Sequence, residues 1–265
     1  MPHHFTPLKL VAALPVILLG LASLWPSLLC AQNPLTGFPA EYLSPPSINH
    51  WFGTDQFGRD VLARVVYGSF STLSSAILAV GISLLWAIPA GLLAGLGSVH
   101  VERAILACAD IVLSIPEIFL SLSIITLIGP GAAHVALAVG ASQAAGFVRM
   151  IHTEVARIRA SEYIESAAGM GATFSQIILR HVLPNSLNPA LALASLRLGT
   201  AILAISTICF LGYGPPPPSP EWGLMITEGR DYLSTAWWIT TFPGLAIIFA
   251  AWTTNLVSHA IRSSL

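Results

Sequence analysis

Six long apolar segments constrain this chain more than any other feature of its sequence. They cover residues 8–30, 71–97, 104–128, 132–150, 187–211 and 236–258. An α-helix needs about 20 apolar residues to cross the hydrocarbon core of a bilayer. In lipid every backbone polar group must be paired, and a helix does this within its own segment. The sequence therefore predicts an all-α, polytopic membrane protein with six transmembrane helices.

The scarcity of charged side chains supports this prediction. Charged residues make up 9% of the 265 residues, hydrophobic residues make up 55%, and the mean hydropathy is +0.77. A water-soluble domain carries about 25% charged residues, so much of this surface is expected to face lipid. No basic run with interleaved aromatic residues occurs, so nothing indicates a nucleic-acid partner. The cysteines match no disulfide or metal spacing and are read as packing residues: Cys30, Cys108 and Cys209.

The N-terminal segment allows two interpretations. Lys9 and the apolar run to Trp25 resemble a secretory signal peptide, and Ser27–Cys30 resembles a lipoprotein cleavage site. Leu29 is bulky where cleavage needs a small residue, and further long apolar runs follow. We therefore expect an uncleaved first span.

Basic residues predict the orientation of the spans. With the N-terminus inside the cell, eight of them lie on the inner side or at the inner ends of spans: Lys9, Arg103, Arg149, Arg157, Arg159, Arg180, Arg197 and Arg262. Three lie on the outer side: Arg59, Arg64 and Arg230. Because basic residues are enriched on the cytoplasmic side, both termini are predicted to be cytoplasmic. Five amphipathic tryptophan rings are then expected near the outer interface: Trp25, Trp51, Trp222, Trp237 and Trp238.

Three polar regions connect the spans. Residues 31–70 and 212–235 are predicted to be outer loops, and residues 151–186 an inner segment. The link between the second and third spans is so short that only a tight turn fits. The fourth span is rich in alanine and glycine, which let other helices approach closely. We expect this span to be buried inside the bundle.

The inner segment is predicted to hold two helices separated by a turn. Ile151, Val155 and Ile158 recur at helical spacing, and the first helix is expected to continue to Ala168. A turn is predicted next, at the two glycines that follow, because glycine adopts turn conformations at little steric cost. These glycines are Gly169 and Gly171.

Thr173 is predicted to open the second helix with a capping box, in which its hydroxyl and the Gln176 side chain each pair with a free backbone amide. An apolar edge follows at helical spacing: Phe174, Ile177 and Ile178. Pro184 is expected to end this helix. An amphipathic helix of this kind either lies in lipid headgroups or binds a protein partner, and residue physics leaves both open.

The same segment resembles a known motif. Glu165-Ser166-Ala167 is followed four residues later by Gly171, and after a further gap by Leu183-Pro184. This pattern is similar to the EAA loop of ABC-importer permeases, with Ser166 in place of the first alanine. His181 stands where that family often has isoleucine.

Further segments extend the resemblance over nearly the whole chain. Residues 52–62 resemble the outer motif after the first span of dipeptide, oligopeptide and nickel permeases. Residues 210–214 and 220–223 resemble the region after their fifth span. The likeness continues at residues 242–244 and 255–256. The chain is most similar to the second, C-type permease subunit of this family.

The resemblance implies a type I ABC-importer permease fold in the bacterial inner membrane. Such a subunit pairs with a sister permease, binds two cytoplasmic ABC ATPases, and receives substrate from an extracytoplasmic binding protein. The sequence has no GxxxxGK[ST] phosphate-binding loop. We therefore expect no enzyme activity and no bound cofactor in this chain, with ATP and Mg²⁺ on the partner ATPases.

The resemblance also assigns roles to residues. The residues expected to couple the chain to an ATPase all lie in the inner segment: Glu165, Ser166, Ala167, Gly171, Thr173, Phe174, Ile177, Ile178, Leu183 and Pro184. For Glu165, an ion pair with an arginine such as Arg159 is the alternative. The outer motif is expected to form an ion-paired scaffold, with contact to the binding protein as the alternative: Gly53, Thr54, Asp55, Gly58, Arg59 and Asp60.

Two carboxylates in the third span are candidates for the transport pathway. Asp110 and Glu117 are seven residues apart, hence near one face of a continuous helix. Intramembrane carboxylates usually face a bundle interior or an aqueous cavity. Asp110 is also read as a structural anchor, and Glu117 as a hydrogen-bonded lock between helices. His134 is a weaker candidate for metal contact.

The substrate class follows only from the resemblance, which implies a di- or oligopeptide, nickel or a metal–opine chelate. Glu117 and the short chain incline the prediction toward a metal or metallophore. Two other function classes are alternatives. An intramembrane enzyme needs a motif such as HExxH, and a stand-alone secondary transporter usually has inverted repeats; neither signal is evident.

Overall fold

The structure, a computed structural model, describes residues 7–262, without the side chains of residues 7–12, 168, 188 and 260–262. Within these residues the chain forms ten α-helices: α1 Pro7–Leu24, α2 Val61–Leu96, α3 Val99–Ser114, α4 Glu117–Ile128, α5 Ala132–Arg159, α6 Glu162–Gly169, α7 Phe174–Ile177, α8 Leu183–Ile208, α9 Trp222–Gly229 and α10 Trp238–Arg262. Five-residue π-helical segments, Ile178–Val182 and Cys209–Tyr213, precede and follow α8. The predicted all-α class is confirmed. The side chains of Lys9 and Arg262, used for the orientation, lie outside the description.

The two ends of the bundle are named here from the predicted orientation: α9 and the start of α2 lie at the outer end, and α6 and α7 at the inner end. In the described part of the chain, four helical segments are long and apolar enough to cross a membrane. The bent pair α3 and α4 makes a fifth if it is one span, and α1 adds a shorter apolar helix. Six spans and two cytoplasmic termini stay predictions.

Helix α2 begins earlier than the predicted start at residue 71. The carboxylate of Asp60 accepts a hydrogen bond of 2.7 Å from the backbone N–H of Ala63 and so caps the helix at Val61. Such an N-cap satisfies an amide that has no partner inside the helix. Residues 61–70 therefore belong to α2 rather than to an outer loop. The predicted tight turn into α3 is confirmed, since only Gly97 and Ser98 separate the two helices.

The third predicted span is not one straight helix. α3 and α4 are bent by 93° where Ile115 and Pro116 separate them. Proline has no backbone N–H, and it drives the preceding residue out of the helical region. Ile115 accordingly has φ −95° and ψ 128°. The prediction that Asp110 and Glu117 share one face is therefore wrong.

Helix α5 runs through the centre of the bundle and packs most extensively against α2. A Cβ atom added to Gly140 would lie 2.6 Å from the Ala79 carbonyl oxygen, and one added to Gly91 would lie 2.7 Å from Ile151 Cβ. Ser83 Oγ also donates a hydrogen bond of 2.8 Å to the Gly140 carbonyl. Small residues thus bring the two backbones together. The predicted burial of the fourth span is confirmed, because 61% of the most apolar 18-residue stretch of α5 is buried.

Helix α5 ends at Arg159, and Ala160 and Ser161 separate it from α6. The expected continuous helix from Ile151 to Ala168 is therefore wrong. Ala160 leaves the helical region with ψ 2°, and the Ser161 hydroxyl donates back to the Ile158 carbonyl over 2.6 Å. Side chain-to-backbone bonds of this kind compete with the helical ladder.

Two of the five tryptophans predicted at the outer interface are core residues instead. Trp222 is 1% exposed and donates its indole N–H to the Val65 carbonyl over 2.8 Å. Trp238 is also buried and donates to the Thr54 carbonyl over 3.0 Å. A buried indole needs an acceptor, and both acceptors here are backbone carbonyls distant in sequence.

Of the cysteines read as packing residues, Cys30 and Cys209 are buried and Cys108 is exposed.

A buried ion cluster links the outer loop, α2 and α9. Arg59 Nε donates to Asp55 Oδ2 over 2.6 Å. Arg64, 1% exposed, donates to Glu228 Oε2 over 2.7 Å and approaches Asp55 Oδ2 to 3.6 Å. Arg59 Nη2 also reaches Glu228 Oε2, at 3.4 Å. Two arginines and two carboxylates thus neutralise one another where water is excluded, which buried charges require.

His50 bridges two carboxylates beside this cluster. Its Nδ1 lies 2.8 Å from Asp60 Oδ2, and its Nε2 lies 3.3 Å from Glu41 Oε2. Burial by itself lowers the pKa of His50, but hydrogen bonds and attraction from Asp60 and Glu41 outweigh it and raise the pKa above its usual value. Asp60 therefore serves both as the cap of α2 and as a partner of His50.

Glu221 fixes the start of α9. Its carboxylate accepts hydrogen bonds from the Leu224 N–H at 2.8 Å and from Thr72 Oγ1 at 3.0 Å. Burial raises the pKa of Glu221, against the lowering effect of these bonds. Capping by Glu221 thus ties α9 to α2 through Thr72.

We expect Glu228→Ala to destabilise the protein far more than Asp231→Ala. The first change leaves the Arg64 guanidinium buried with an incomplete set of partners, which costs about 3–5 kcal/mol. The second removes an exposed pair with Arg230 at 3.4 Å, and such pairs contribute about 0–1 kcal/mol. Unfolding of each purified variant in mixed micelles measures the difference. Equal losses in the two variants would contradict this account of the cluster.

Candidate functional site

The inner segment is a helix–turn–helix unit built around Gly171. The N–H of Ala172 bonds to the Ala167 carbonyl over 3.1 Å, and Gly171 has φ +89°. This is the Schellman ending of α6, in which the residue after the cap takes a left-handed conformation. A Cβ atom at Gly171 would meet nothing within 4 Å. The backbone angle, rather than space, therefore requires glycine there.

Thr173 starts the next helix directly after this turn. Its hydroxyl accepts from the Gln176 N–H, and Gln176 Oε1 accepts from the Thr173 N–H over 2.9 Å. The predicted capping box is present. Four residues separate α6 from α7, Met170 to Thr173, and the hydrogen bonds at both helix ends give this turn a defined shape.

The helix that starts at Thr173 does not end at Pro184, contrary to expectation. Helical structure runs without interruption from Phe174 through the π-helical segment to the end of α8 at Ile208. The π-helical segment before Pro184 explains this, because the Leu183 N–H bonds five residues back to Ile178. A wider turn relieves the clash of a proline ring with the preceding turn. The inner unit is therefore continuous with α8, a core helix of the bundle.

The apolar edge predicted for this unit divides into two faces. Ile177 packs against the bundle core. Phe174 is 65% exposed, and two further apolar side chains of the same segment, Met170 and Leu179, are 84% and 64% exposed. A cluster of exposed large apolar side chains marks an interaction surface. We call Met170, Phe174 and Leu179 the inner apolar patch.

The remaining residues of the predicted coupling motif belong to the same segment and differ in exposure. Glu165 and Ser166 are exposed, Ala167 is buried, Ile178 and Leu183 are half-buried, and Pro184 is exposed. Among the described residues Glu165 makes no ion pair. Arg159, its suggested partner, instead donates to the Gly95 carbonyl at 3.3 Å. The Glu165 carboxylate is thus available at the surface.

The predicted outer scaffold residues lie together in one turn before α2. Gly53 and Gly58 have φ +72° and +69°. A Cβ atom at Gly53 would lie 2.6 Å from Trp238 Nε1, and one at Gly58 would overlap the Phe38 carbonyl. Thr54 is fully buried, and its hydroxyl accepts from the Ser44 N–H over 2.8 Å. The polar side chains of Thr54, Asp55, Arg59 and Asp60 all have hydrogen-bond partners within the protein.

Glu117 lies in a polar cluster between helices. Its Oε1 accepts a hydrogen bond of 2.7 Å from Gln143 Nε2 on α5, and its Oε2 lies 3.7 Å from Arg197 Nη1 on α8. Gln143 Nε2 also reaches Thr200 Oγ1, at 3.4 Å. Gln143 and Arg197 lie near the midpoints of their helices. Arg197 was assigned to the inner side from sequence, and the structure places it deeper in the bundle.

The other two pathway candidates lie elsewhere. Asp110 pairs with Arg149 at 3.0 Å, and both side chains are more than half exposed. His134 Nδ1 lies 3.2 Å from the carbonyls of Gly129 and Pro130, in the turn that precedes α5. The described residues contain no group of three or more metal-binding side chains.

Sequence reasoning missed four residues that organise these sites: Arg64, Gln143, Glu221 and Glu228. Their partners are distant in sequence, as in the Arg64–Glu228 pair. A weak signal was available, since each is a polar residue inside or beside an apolar run, where polar groups are rare unless paired.

Comparison with known proteins identifies the family. The family model described as "binding-protein-dependent transport system inner membrane component" matches residues 87–265. A dipeptide transport system permease protein (DppC) of Alkalihalophilus pseudofirmus is 34% identical, over 92% of this chain and 81% of the relative. A di/tripeptide permease protein of Pseudomonas aeruginosa is 31% identical, over 94% and 84%. A glutathione transport system permease protein (GsiD) of Pectobacterium atrosepticum is 32% identical, over 96% and 85%.

Solved structures show the same fold. A chain of the MetNI methionine ABC transporter in an inward-facing conformation superposes with a TM-score of 0.63 at 18% identity, covering 76% of this chain and 96% of the other. An amino acid ABC transporter superposes with a TM-score of 0.58 at 15% identity, covering 76% and 94%. The family match decides against an intramembrane enzyme. The chain belongs to the binding-protein-dependent transport system inner membrane components: it is an inner-membrane permease subunit of an ABC importer, without an ATPase site of its own.

Proposed function

We propose that the inner helix–turn–helix unit is the surface that receives an ABC ATPase and passes its motion to the bundle. The observation that carries this is the inner apolar patch, where Phe174 and Met170 are exposed on a polar segment. Lipid headgroups are the alternative environment for such a patch. The exposed Glu165 carboxylate in the same segment favours a protein partner, because anionic headgroups would repel it.

Continuity of the helix supports a coupling role. Helical structure links Phe174 to the end of α8 at Ile208, so a force on Phe174 or Leu179 acts directly on α8. α8 packs against α5 and α10. A rigid element of this kind can be biased from both ends, which a coupled two-state mechanism requires.

The assembly proposed for this chain follows the importer architecture. One sister permease completes the pathway, two ATPases carry ATP and Mg²⁺ at the inner face, and an extracytoplasmic binding protein delivers substrate at the outer end. This chain itself holds no cofactor in the proposal. The ion-paired outer turn from Gly53 to Asp60 serves as scaffold for that end.

We propose a short peptide as the substrate. The relatives at 31–34% identity are named for dipeptides, di/tripeptides and glutathione. These names give no support to the lean toward nickel or a metallophore. Glu117, one basis of that lean, is hydrogen-bonded by Gln143 and faces Arg197.

Gly171→Val is expected to reduce ATP-driven uptake at least several-fold, because a β-branched residue is a strong outlier at φ +89°. Gly169→Val is the matched control, since Gly169 has no positive φ and a Cβ there meets nothing within 4 Å. The measurement is substrate taken up per ATP hydrolysed by the complete importer in proteoliposomes. Equal values for the two variants would count against the turn as a coupling element.

The substrate proposal is tested by competition in the same proteoliposomes. Unlabelled dialanine in excess is expected to suppress uptake of a labelled dipeptide, because the two compete for one pathway. A nickel chelate at the same concentration is the matched competitor and is expected to leave uptake unchanged. The reverse pattern would restore the metal interpretation.

A further inference from the structure

The polar cluster of Glu117, Gln143, Arg197 and Thr200 has unused hydrogen-bonding capacity. An arginine carries five N–H donors, yet within the described residues the Arg197 guanidinium donates no hydrogen bond, and Glu117 Oε2 lies beyond hydrogen-bond range at 3.7 Å. Gln143 is 2% exposed, and its Oε1 is buried without a partner. Since buried polar groups are nearly always hydrogen-bonded to protein, water or a ligand, Gln143 Oε1 marks this cluster as a place where water or a ligand binds.

The cluster is also accessible. The side chains of Glu117 and Arg197 are each 31% exposed. Pro116 breaks the helix directly before Glu117, which makes Glu117 the first residue of α4. Gly146 leaves room for Arg197, because a Cβ there would lie 2.9 Å from Arg197 Nη2. The backbone thus leaves a charged pair uncovered between α4, α5 and α8.

The two charges are suited to a zwitterion. A carboxylate binds an ammonium group through charge-assisted hydrogen bonds, and a guanidinium binds a carboxylate through two parallel ones. The buried Gln143 Oε1 is an acceptor only, so it matches an ammonium donor and not a second carboxylate.

We propose that Glu117 and Arg197 bind the free amino and carboxyl termini of the peptide during passage, with Gln143 holding Glu117 in place. The pair then selects zwitterionic peptides over peptides with blocked termini. This inference rests on the proposed function of the chain in peptide import. It adds a selective step inside the permease, after release from the binding protein.

The test compares three substrates in the complete importer: dialanine, N-acetyl-dialanine and dialanine amide. Glu117→Gln is expected to lower the preference for dialanine over N-acetyl-dialanine about tenfold, the loss of one charge-assisted bond. Arg197→Gln is expected to lower the preference for dialanine over dialanine amide to a similar extent. The same binding protein is present throughout, so its own selectivity cancels in the ratio of variant to wild type.

Three further variants serve as controls. Glu102→Gln removes a carboxylate that lies 3.0 Å from His152 at the inner end, and it is expected to leave both preferences unchanged. Glu117→Asp keeps its charge and is expected to keep both preferences, even if transport slows. Arg197→Lys keeps the charge but loses the two parallel bonds, so its preference for dialanine over dialanine amide is expected to fall between those of wild type and Arg197→Gln.

Several outcomes would overturn the proposal. Equal falls for free and blocked peptides would make the pair a structural lock, and loss of the copurifying sister permease with unchanged preferences would make it a subunit contact. If the wild-type importer transports all three substrates equally, the selective step is refuted while peptide import stands. If the wild-type importer transports no dipeptide, the proposed function fails as well.

Discussion

The close approach of α2 and α5 determines where the outer ion cluster, the polar cluster of Glu117 and the inner segment lie. Gly140 lets α5 touch the Ala79 carbonyl, and Gly91 accepts Ile151 where any side chain would collide. Tight packing between small residues is the main source of helix association in lipid, where burial of apolar surface contributes little. With this pair fixed, α2 presents Arg64 at the outer end, and α5 presents Gln143 near mid-bundle. The inner end of α5 then leads into α6 and the inner apolar patch.

Much of this arrangement was predictable because it rests on local rules. The apolar runs predicted helices, the alanine- and glycine-rich fourth span predicted a buried α5, and Thr173 with Gln176 predicted a helix start. Gly171 was expected in a turn, and its φ of +89° is a conformation that glycine adopts without strain. Each of these signals depends on residues a few positions apart.

The wrong predictions share a different property: they depended on contacts distant in sequence or on backbone geometry in three dimensions. Trp222 looked like an interface residue, but its acceptor is the Val65 carbonyl. Pro184 looked like a helix end, but a π-helical segment accommodates it. Arg197 looked like a basic residue of the inner side, but its side chain faces Glu117. Pro116 interrupts the helix and places Glu117 at the start of α4. Neither Val65 nor Glu117 lies within one helical turn of the residue that it contacts.

The most direct test of the central claim is the amount of ATPase that copurifies with Phe174→Asp, compared with Leu233→Asp. Phe174 and Leu233 are similarly exposed, at 65% and 56%, at opposite ends of the bundle. Burying a phenylalanine contributes about 1.5–3 kcal/mol, and each 1.4 kcal/mol is tenfold in affinity. The account predicts at least about a tenfold loss of ATPase for Phe174→Asp and none for Leu233→Asp. Undiminished ATPase with Phe174→Asp would contradict it and leave the inner apolar patch to lipid.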